Sequence, residues 1–427
     1  MASNARLDVK DVPKPLSLIT LSVQHMFAMF GSTILVPTLV NLSPAIALLT
    51  SGIATIIFLL ITRFEVPAYL GSSFAFITPI ILASKIDGPG SAMIGAMAVG
   101  LVYGIVSLMI WRTGYKWLMK LMPPIVVGPV IMVIGLGLSG TAVNMAMMVN
   151  DEYNLLHFSA ALVTLFTAII FTVFFKGILS TMPILMGLIV GYVYAMLIGI
   201  VDYSAIAEAK MFEMPQFLLP GVDYDFVVTG KLLLIMVPVV LVTISEHIGH
   251  QLVLGRVVDR NYLESPGLHR SLLGDGIGTF ISALIGGPPK TTYGENIGVL
   301  AITRVYSVFV ILGAAVIAIL LSFSGKTMAV IATIPTSVLG GVSILLFGII
   351  ASSGLRMLIE NNIDFGESRN LVIASVVLII GIGGAKFDLG IVSLEGMALA
   401  AIIGVVLNLV LPKSPYTKQI EEQRTKE

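Results

Sequence analysis

Apolar runs of about twenty residues follow one another along nearly the whole chain, broken by short polar stretches. Examples are 91-SAMIGAMAVGLVYGIVSLMIW-111 and 305-VYSVFVILGAAVIAILLSFS-324. A run of that length crosses about 30 Å of hydrocarbon as a helix. The pattern predicts 14 spans, at 16–37, 45–62, 68–84, 91–111, 123–143, 157–175, 181–201, 232–255, 271–286, 290–304, 305–324, 335–352, 370–385 and 391–411. Alternation over about ten residues, the mark of a membrane barrel, is missing. The expected fold is therefore an all-α polytopic membrane protein. The longest polar stretch is about 30 residues, near 202–231, and is expected to be an outer loop rather than a soluble domain.

Composition agrees: 57% of the 427 residues are hydrophobic and 11% are charged, against about 25% charged in soluble domains. A net charge of zero gives no reason to expect nucleic acid as a partner. With no cysteine there is no thiol nucleophile, thiolate metal site or disulfide. The polar start, 1-MASNARLDVKDVPKP-15, lacks the pattern of a cleaved leader, so the first span is expected to be retained. Fourteen spans with the N-terminus inside put 18 of the 24 Lys and Arg on the inner side and 6 outside, with every arginine inside. The outside six are Lys85, Lys210, Lys231, Lys290, Lys326 and Lys386. This follows the positive-inside rule and places both termini, 1–15 and 412–427, in the cytoplasm.

The halves echo each other. The stretch 18-LITLSVQHMFAMFG-31 is matched by 240-VLVTISEHIGHQLV-253, 71-GSSFAF-76 by 291-TTYGEN-296, and 123-PPIVVGPVIMVIGLGLSG-140 by 335-PTSVLGGVSILLFGIIASSG-354. The offset stays between 212 and 222 residues. The reading is two seven-span repeats, 16–201 and 232–411; an odd span count inverts the second in the membrane. Inverted repeats with broken helices at matching places mark secondary transporters, with the site near the midplane.

Spans 3 and 10 are the broken ones. Gly71-Ser72-Ser73 and Thr291-Thr292-Tyr293-Gly294 suit extended backbone, and Pro67 and Pro288-Pro289 stop a helix from entering them. Such backbone at membrane depth must be packed on protein or line a cavity. Each is expected to be a short extended piece feeding a half-helix whose first N–H groups are free, at Phe74 and at Gly294. Of the 24 acids only Glu246 and Glu295 stand clearly in mid-span; Asp275, Asp388 and Glu395 fall near span ends and read as interfacial. A charge in hydrocarbon costs several kcal/mol, so the two mid-span glutamates are functional candidates. His250 lies four residues after Glu246, on the same helix face, and can share or pass a proton with it. Asn296 either caps backbone or holds a neighbouring helix, and Arg304 reads as an interfacial anchor.

The run 295-ENIGVLAITR-304 resembles the signature of the nucleobase–ascorbate transporter family, and QHMFAMFG, PAYLGSSFAF, EHIGH, PGLHRS and TTYGENIGV resemble blocks of its uracil-carrying branch. The likeness covers about 15–410. It implies a core domain of spans 1–4 and 8–11 and a gate domain of spans 5–7 and 12–14. It further implies proton coupling with no other cofactor, a homodimer in the cell membrane, and uracil or a similar nucleobase as substrate. Glu246, Glu295, Tyr293 and the backbone at Phe74 and Gly294 would hold the base, and Glu246, His250 and Glu295 would carry the proton. Asn296, Ser73, His25, Ser343 and Phe347 would support them. Phe347 stands where the resemblance leads one to expect a tyrosine, which bears on the proton network around His250.

The chemistry is compatible. A protonated carboxyl donates and accepts at once, whereas an ionised one only accepts; a neutral imide ring offers both partners. The alternative within the same family is a purine carrier. A sulfate-type anion carrier fits less well, because Glu295 would repel the anion that helix ends attract. An enzyme lacks support, since no nucleophile–base pair, metal cluster or phosphate loop stands out.

Overall fold

The computed structural model describes residues 5–177, 179–388 and 393–412. The C-terminal tail beyond 412, with Lys413, Lys418, Arg424 and Lys426, lies outside the described residues, as do the first four residues. Apolar helices lie along the predicted spans, with spans 3 and 4 joined and span 5 divided: α1 Pro15–Leu39, α2 Pro44–Ile61, α3 Ile77–Thr113, α4 Pro124–Gly137, α5 Ser139–Met147, α6 Leu155–Val173 and α7 Pro183–Leu197. Then come α8 Val239–Val258, α9 Leu268–Leu284, α10 Gly294–Thr303, α11 Val308–Ser322, α12 Thr336–Glu360, α13 Ser368–Ile382 and α14 Gly396–Val410. Two three-residue strands, β1 Leu70–Ser72 and β2 Lys290–Thr292, sit where spans 3 and 10 were expected to break. Among the described residues, seven helical stretches are long and apolar enough to cross a membrane, and four more apolar helices are shorter.

Local chemistry sets the boundaries. Proline opens α1, α2, α4 and α7, where its missing N–H costs nothing. Ser43 caps α2, accepting from the Ile46 N–H at 3.4 Å. The third and fourth predicted spans run on as one 40-residue stretch, Phe74–Thr113, kinked at Asp87-Gly88. Gly88 takes φ +70°, a conformation that glycine adopts without strain, and Pro89 restarts the helix. The predicted eighth span is likewise divided, with Gly230–Met236 preceding α8 and Pro238 between them. The 202–231 stretch is mostly irregular and exposed, with one short helix, Ser204–Glu208. It is tied down by backbone bonds from Glu213 to Phe323 (2.9 Å) and from Leu218 to Ile285 (3.4 Å).

The helices pack in two groups. In one, α3 and α2 lie against α9, α2 against α11, and α11 against α1. In the other, α12 packs on α4, α5 and α6, α6 on α7, and α13 on α4 and α14. Small residues allow close approach within each group: Gly100 meets Gly276 between α3 and α9, and Gly128 meets Gly354 between α4 and α12. Between the groups the contact is smooth. Gly31 of α1 faces Ile184 and Leu188 of α7, and Gly249 of α8 faces Met357 and Ile131.

Strand β1 pairs antiparallel with β2, in the register Leu70–Thr292, Gly71–Thr291 and Ser72–Lys290. All six residues are buried, so every backbone group must find a partner in protein. Threonines of neighbouring helices supply them. The Leu70 N–H donates to Thr55 Oγ1 of α2 (2.9 Å), and the Lys290 N–H donates to Thr279 Oγ1 of α9 (3.0 Å). Each threonine returns its own proton to the carbonyl of the same residue, at 3.4 and 3.2 Å.

Candidate functional site

Because β1 and β2 are antiparallel neighbours, the helices that follow them leave in opposite directions from opposite ends of the strand pair. The first-turn N–H groups at Phe74 and Gly294 have no acceptor within their own helices, so a positive helix end stands at each end of the pair. The ring of Tyr293 lies flat against Gly71, where any Cβ would collide with it. Its hydroxyl donates to the Ser72 carbonyl at 3.1 Å. Tyr293 is thus a clasp between the strands, 2% exposed.

Glu295 occupies the first turn of α10, and its Oε1 accepts from Ser32 Oγ of α1 at 2.5 Å. Glu246 of α8 is buried, and its Oε2 has no hydrogen-bond partner. The two carboxyl groups are close enough for their charges to interact. A buried carboxyl oxygen without a partner is costly unless something else comes to it.

His250 Nδ1 is 3.1 Å from Thr292 Oγ1, and its Nε2 is 3.3 Å from where a Cβ on Gly294 would stand. A larger residue at 294 would push on the imidazole. The expected bond between Glu246 and His250 is not among those of the described residues; β2 holds the histidine instead.

The remaining predicted residues divide. Asn296 Nδ2 donates to the His25 carbonyl at 3.1 Å and lies 3.3 Å from His25 Nδ1. This pair ties α10 to α1. Ser73 is buried with its hydroxyl unpartnered. Ser343 donates to Leu339 of its own helix at 2.7 Å. Phe74 and Phe347 meet edge to face, with ring centroids 5.7 Å apart and planes at 78°.

Two placements correct the sequence reading. Asp275 is not interfacial. It is fully buried, with Oδ2 2.7 Å from His247 Nδ1, while His247 Nε2 reaches Ser271 Oγ at 2.8 Å. Helix α9 begins three residues earlier than predicted, at Leu268, so Asp275 falls in its interior, walled by α2 and α3. An acid between two glycines, Gly274 and Gly276, in an apolar run was the signal. Lys290, counted among the outer charges, is also fully buried and donates to the Ala47 carbonyl at 3.2 Å. It lies within the packed strand pair, so the polar stretch that seemed to expose it does not. Ser32 was missed altogether; a small hydroxyl in an apolar helix gives little warning.

The sequence pattern described as "Permease family" (Xan_ur_permease) matches residues 16–390. The uracil permease of Bacillus caldolyticus is 64% identical over 415 residues, covering 97% of this chain and 96% of that protein. The uracil permease of Escherichia coli (strain K12) is 44% identical over 407 residues, covering 95% and 93%. Among solved structures, the transmembrane domain of the cyanobacterial bicarbonate transporter BicA superposes with a TM-score of 0.68 at 15% identity, covering 95% of this chain and all of that one. The structure of SLC26A9 gives 0.65 at 11% identity, covering 92% and 65%; at such identities the likeness is one of fold.

The permease family match over residues 16–390 and the relatives' identity make this chain a multi-pass membrane transporter and not an enzyme; the solved structures add the likeness of fold. The chain belongs to the Xan_ur_permease permease family.

Proposed function

We propose that this protein imports uracil, or a closely similar nucleobase, by proton symport with alternating access. The observation that carries the reading is the buried, unpartnered Oε2 of Glu246 near Glu295 and the two free helix starts. Together they offer acceptors and donors to a flat, neutral ring. The names of the relatives quoted above support uracil as that ring.

In this reading Glu246 and Glu295 hold the imide edge, backbone N–H groups at Phe74 and Gly294 take the carbonyl oxygens, and His250 belongs to the proton path. Protonation from outside readies a carboxyl to donate as well as accept; release inside returns the proton. The first helix group is the core and the second the gate, built from 14 spans in two inverted repeats. Both termini are cytoplasmic, and the protein works in the cytoplasmic membrane as a homodimer. The apolar contact between the groups suits sliding, since few hydrogen bonds must break; Gln24 to Thr181, at 3.0 Å, is one that would.

The test is radiolabelled uracil uptake into proteoliposomes under an imposed inward proton gradient. Uptake is expected in the parent, lost with a protonophore and lost in Glu295→Gln, while unlabelled xanthine fails to compete. Uptake indifferent to the gradient would overturn proton coupling, and competition by xanthine would move the substrate to the purines.

A further inference from the structure

The polar groups named at the site come from α1, α8, α10 and β2. Ser32 is on α1, Glu246 and His250 on α8, Thr292 on β2 and Glu295 on α10. From the second helix group α12 reaches the site with an aromatic ring, Phe347, 2% exposed and set edge to face on Phe74. The nearest hydroxyl on α12, Ser343 one turn earlier, is spent on the Leu339 carbonyl.

The position of Phe347 is fixed. Its carbonyl oxygen lies so close to Gly135 of α4 that any Cβ there would collide with it. Helix α12 is further held by the approach of Gly354 to the Gly128 carbonyl, where a Cβ would come to 2.5 Å. The backbone under Phe347 therefore cannot shift within its own helix group without parting two closely packed helices.

We propose that Phe347 is the specificity-determining residue that limits ligand size. It is a fixed apolar wall that admits a single six-membered ring and rejects a fused bicyclic base. The inference rests on the nucleobase reading above. A rigid wall discriminates by collision, which adds selectivity that the polar groups lack, because uracil and xanthine present the same imide pattern to two carboxyl groups. The ring also keeps water from the apolar side of a bound base.

The test is displacement of labelled uracil from purified parent, Phe347→Leu, Phe347→Ala and Phe347→Tyr proteins by unlabelled uracil, xanthine or hypoxanthine. Uracil alone is expected to displace from the parent and from Phe347→Tyr, which keeps the ring. In Phe347→Leu and Phe347→Ala the preference for uracil over xanthine should fall by about tenfold or more, the scale of a hydrophobic pocket's size selection. Should the alanine variant fail to fold, the leucine variant carries the same reading. Folded Phe347→Leu or Phe347→Ala protein that binds uracil and still rejects purines would overturn the proposal. Loss of all base binding in a monodisperse leucine variant would also overturn it, by making Phe347 a contact for any base. Displacement by xanthine from the parent would remove the size limit while leaving nucleobase transport standing. A parent that binds no nucleobase would remove the proposed function itself.

Discussion

The two broken segments are built alike and equipped differently. Each is a three-residue strand, each begins on a residue whose N–H and carbonyl are both met by a threonine hydroxyl, and each delivers a helix start at its own end of the strand pair. The first then offers Phe74 and no ionisable side chain. The second carries Lys290, the Tyr293 clasp and Glu295. The shared part is backbone geometry, which a repeat can supply twice. The chemistry is confined to one copy, and so one copy alone should respond to charge-neutralising substitution.

The strongest way to break this comparison is to replace Glu295 by Gln and, separately, Phe74 by Leu. The first should lower gradient-driven uptake by about a hundredfold, the scale of losing hydrogen bonds from a charged group. The second should lower it by less than about tenfold, because its backbone donors remain; equal losses would dissolve the distinction. Next comes Gly71→Ala, whose Cβ has no room beside the Tyr293 ring. Overpacking of that kind costs about 1–3 kcal/mol, visible as a lower midpoint in thermal unfolding. Thr55→Val and Thr279→Val sharpen the likeness: each leaves the buried N–H that begins one strand without its partner, about 1–3 kcal/mol, while Ser51 still donates to the Leu70 carbonyl at 2.7 Å. Similar losses of thermal stability in both would confirm that the strands are held the same way. Smallest is Tyr293→Phe, which keeps the ring on Gly71 and removes the bond to the Ser72 carbonyl. It should cost about 1 kcal/mol and leave the uracil KM nearly unchanged.

Much of this was legible in the sequence, for physical reasons. Lipid demands long apolar runs, so the helices announced themselves, and Gly, Ser, Thr and Pro marked where the runs broke. Glu246 and Glu295 stood out because ionisable groups in mid-span are rare. What the sequence hid was partnership. Asp275 looked interfacial because its helix was read as starting late, and nothing in the linear order ties it to His247, 28 positions away. Lys290 looked like an outer charge because a polar neighbour in sequence was taken for a solvated one in space. The bond from the Tyr293 hydroxyl to the Ser72 carbonyl of β1 was equally hidden. Ser32 carries no pattern at all, and only the fold brings it to Glu295.

The paired strands have one more consequence. The threonine hydroxyls fill the outer hydrogen-bonding positions at the start of each strand, and a slip of one residue would turn every side chain to the opposite face. The separation of the two helix starts is therefore not adjustable by small amounts. It is set in whole steps of about 3.3 Å per residue along the strands, by a register that permits no half-measures. The strand pair works as a gauge block: whatever the surrounding helices do during transport, the distance from Phe74 to Gly294 should travel with it unchanged, and the ligand is measured against the same ruler on both sides of the membrane.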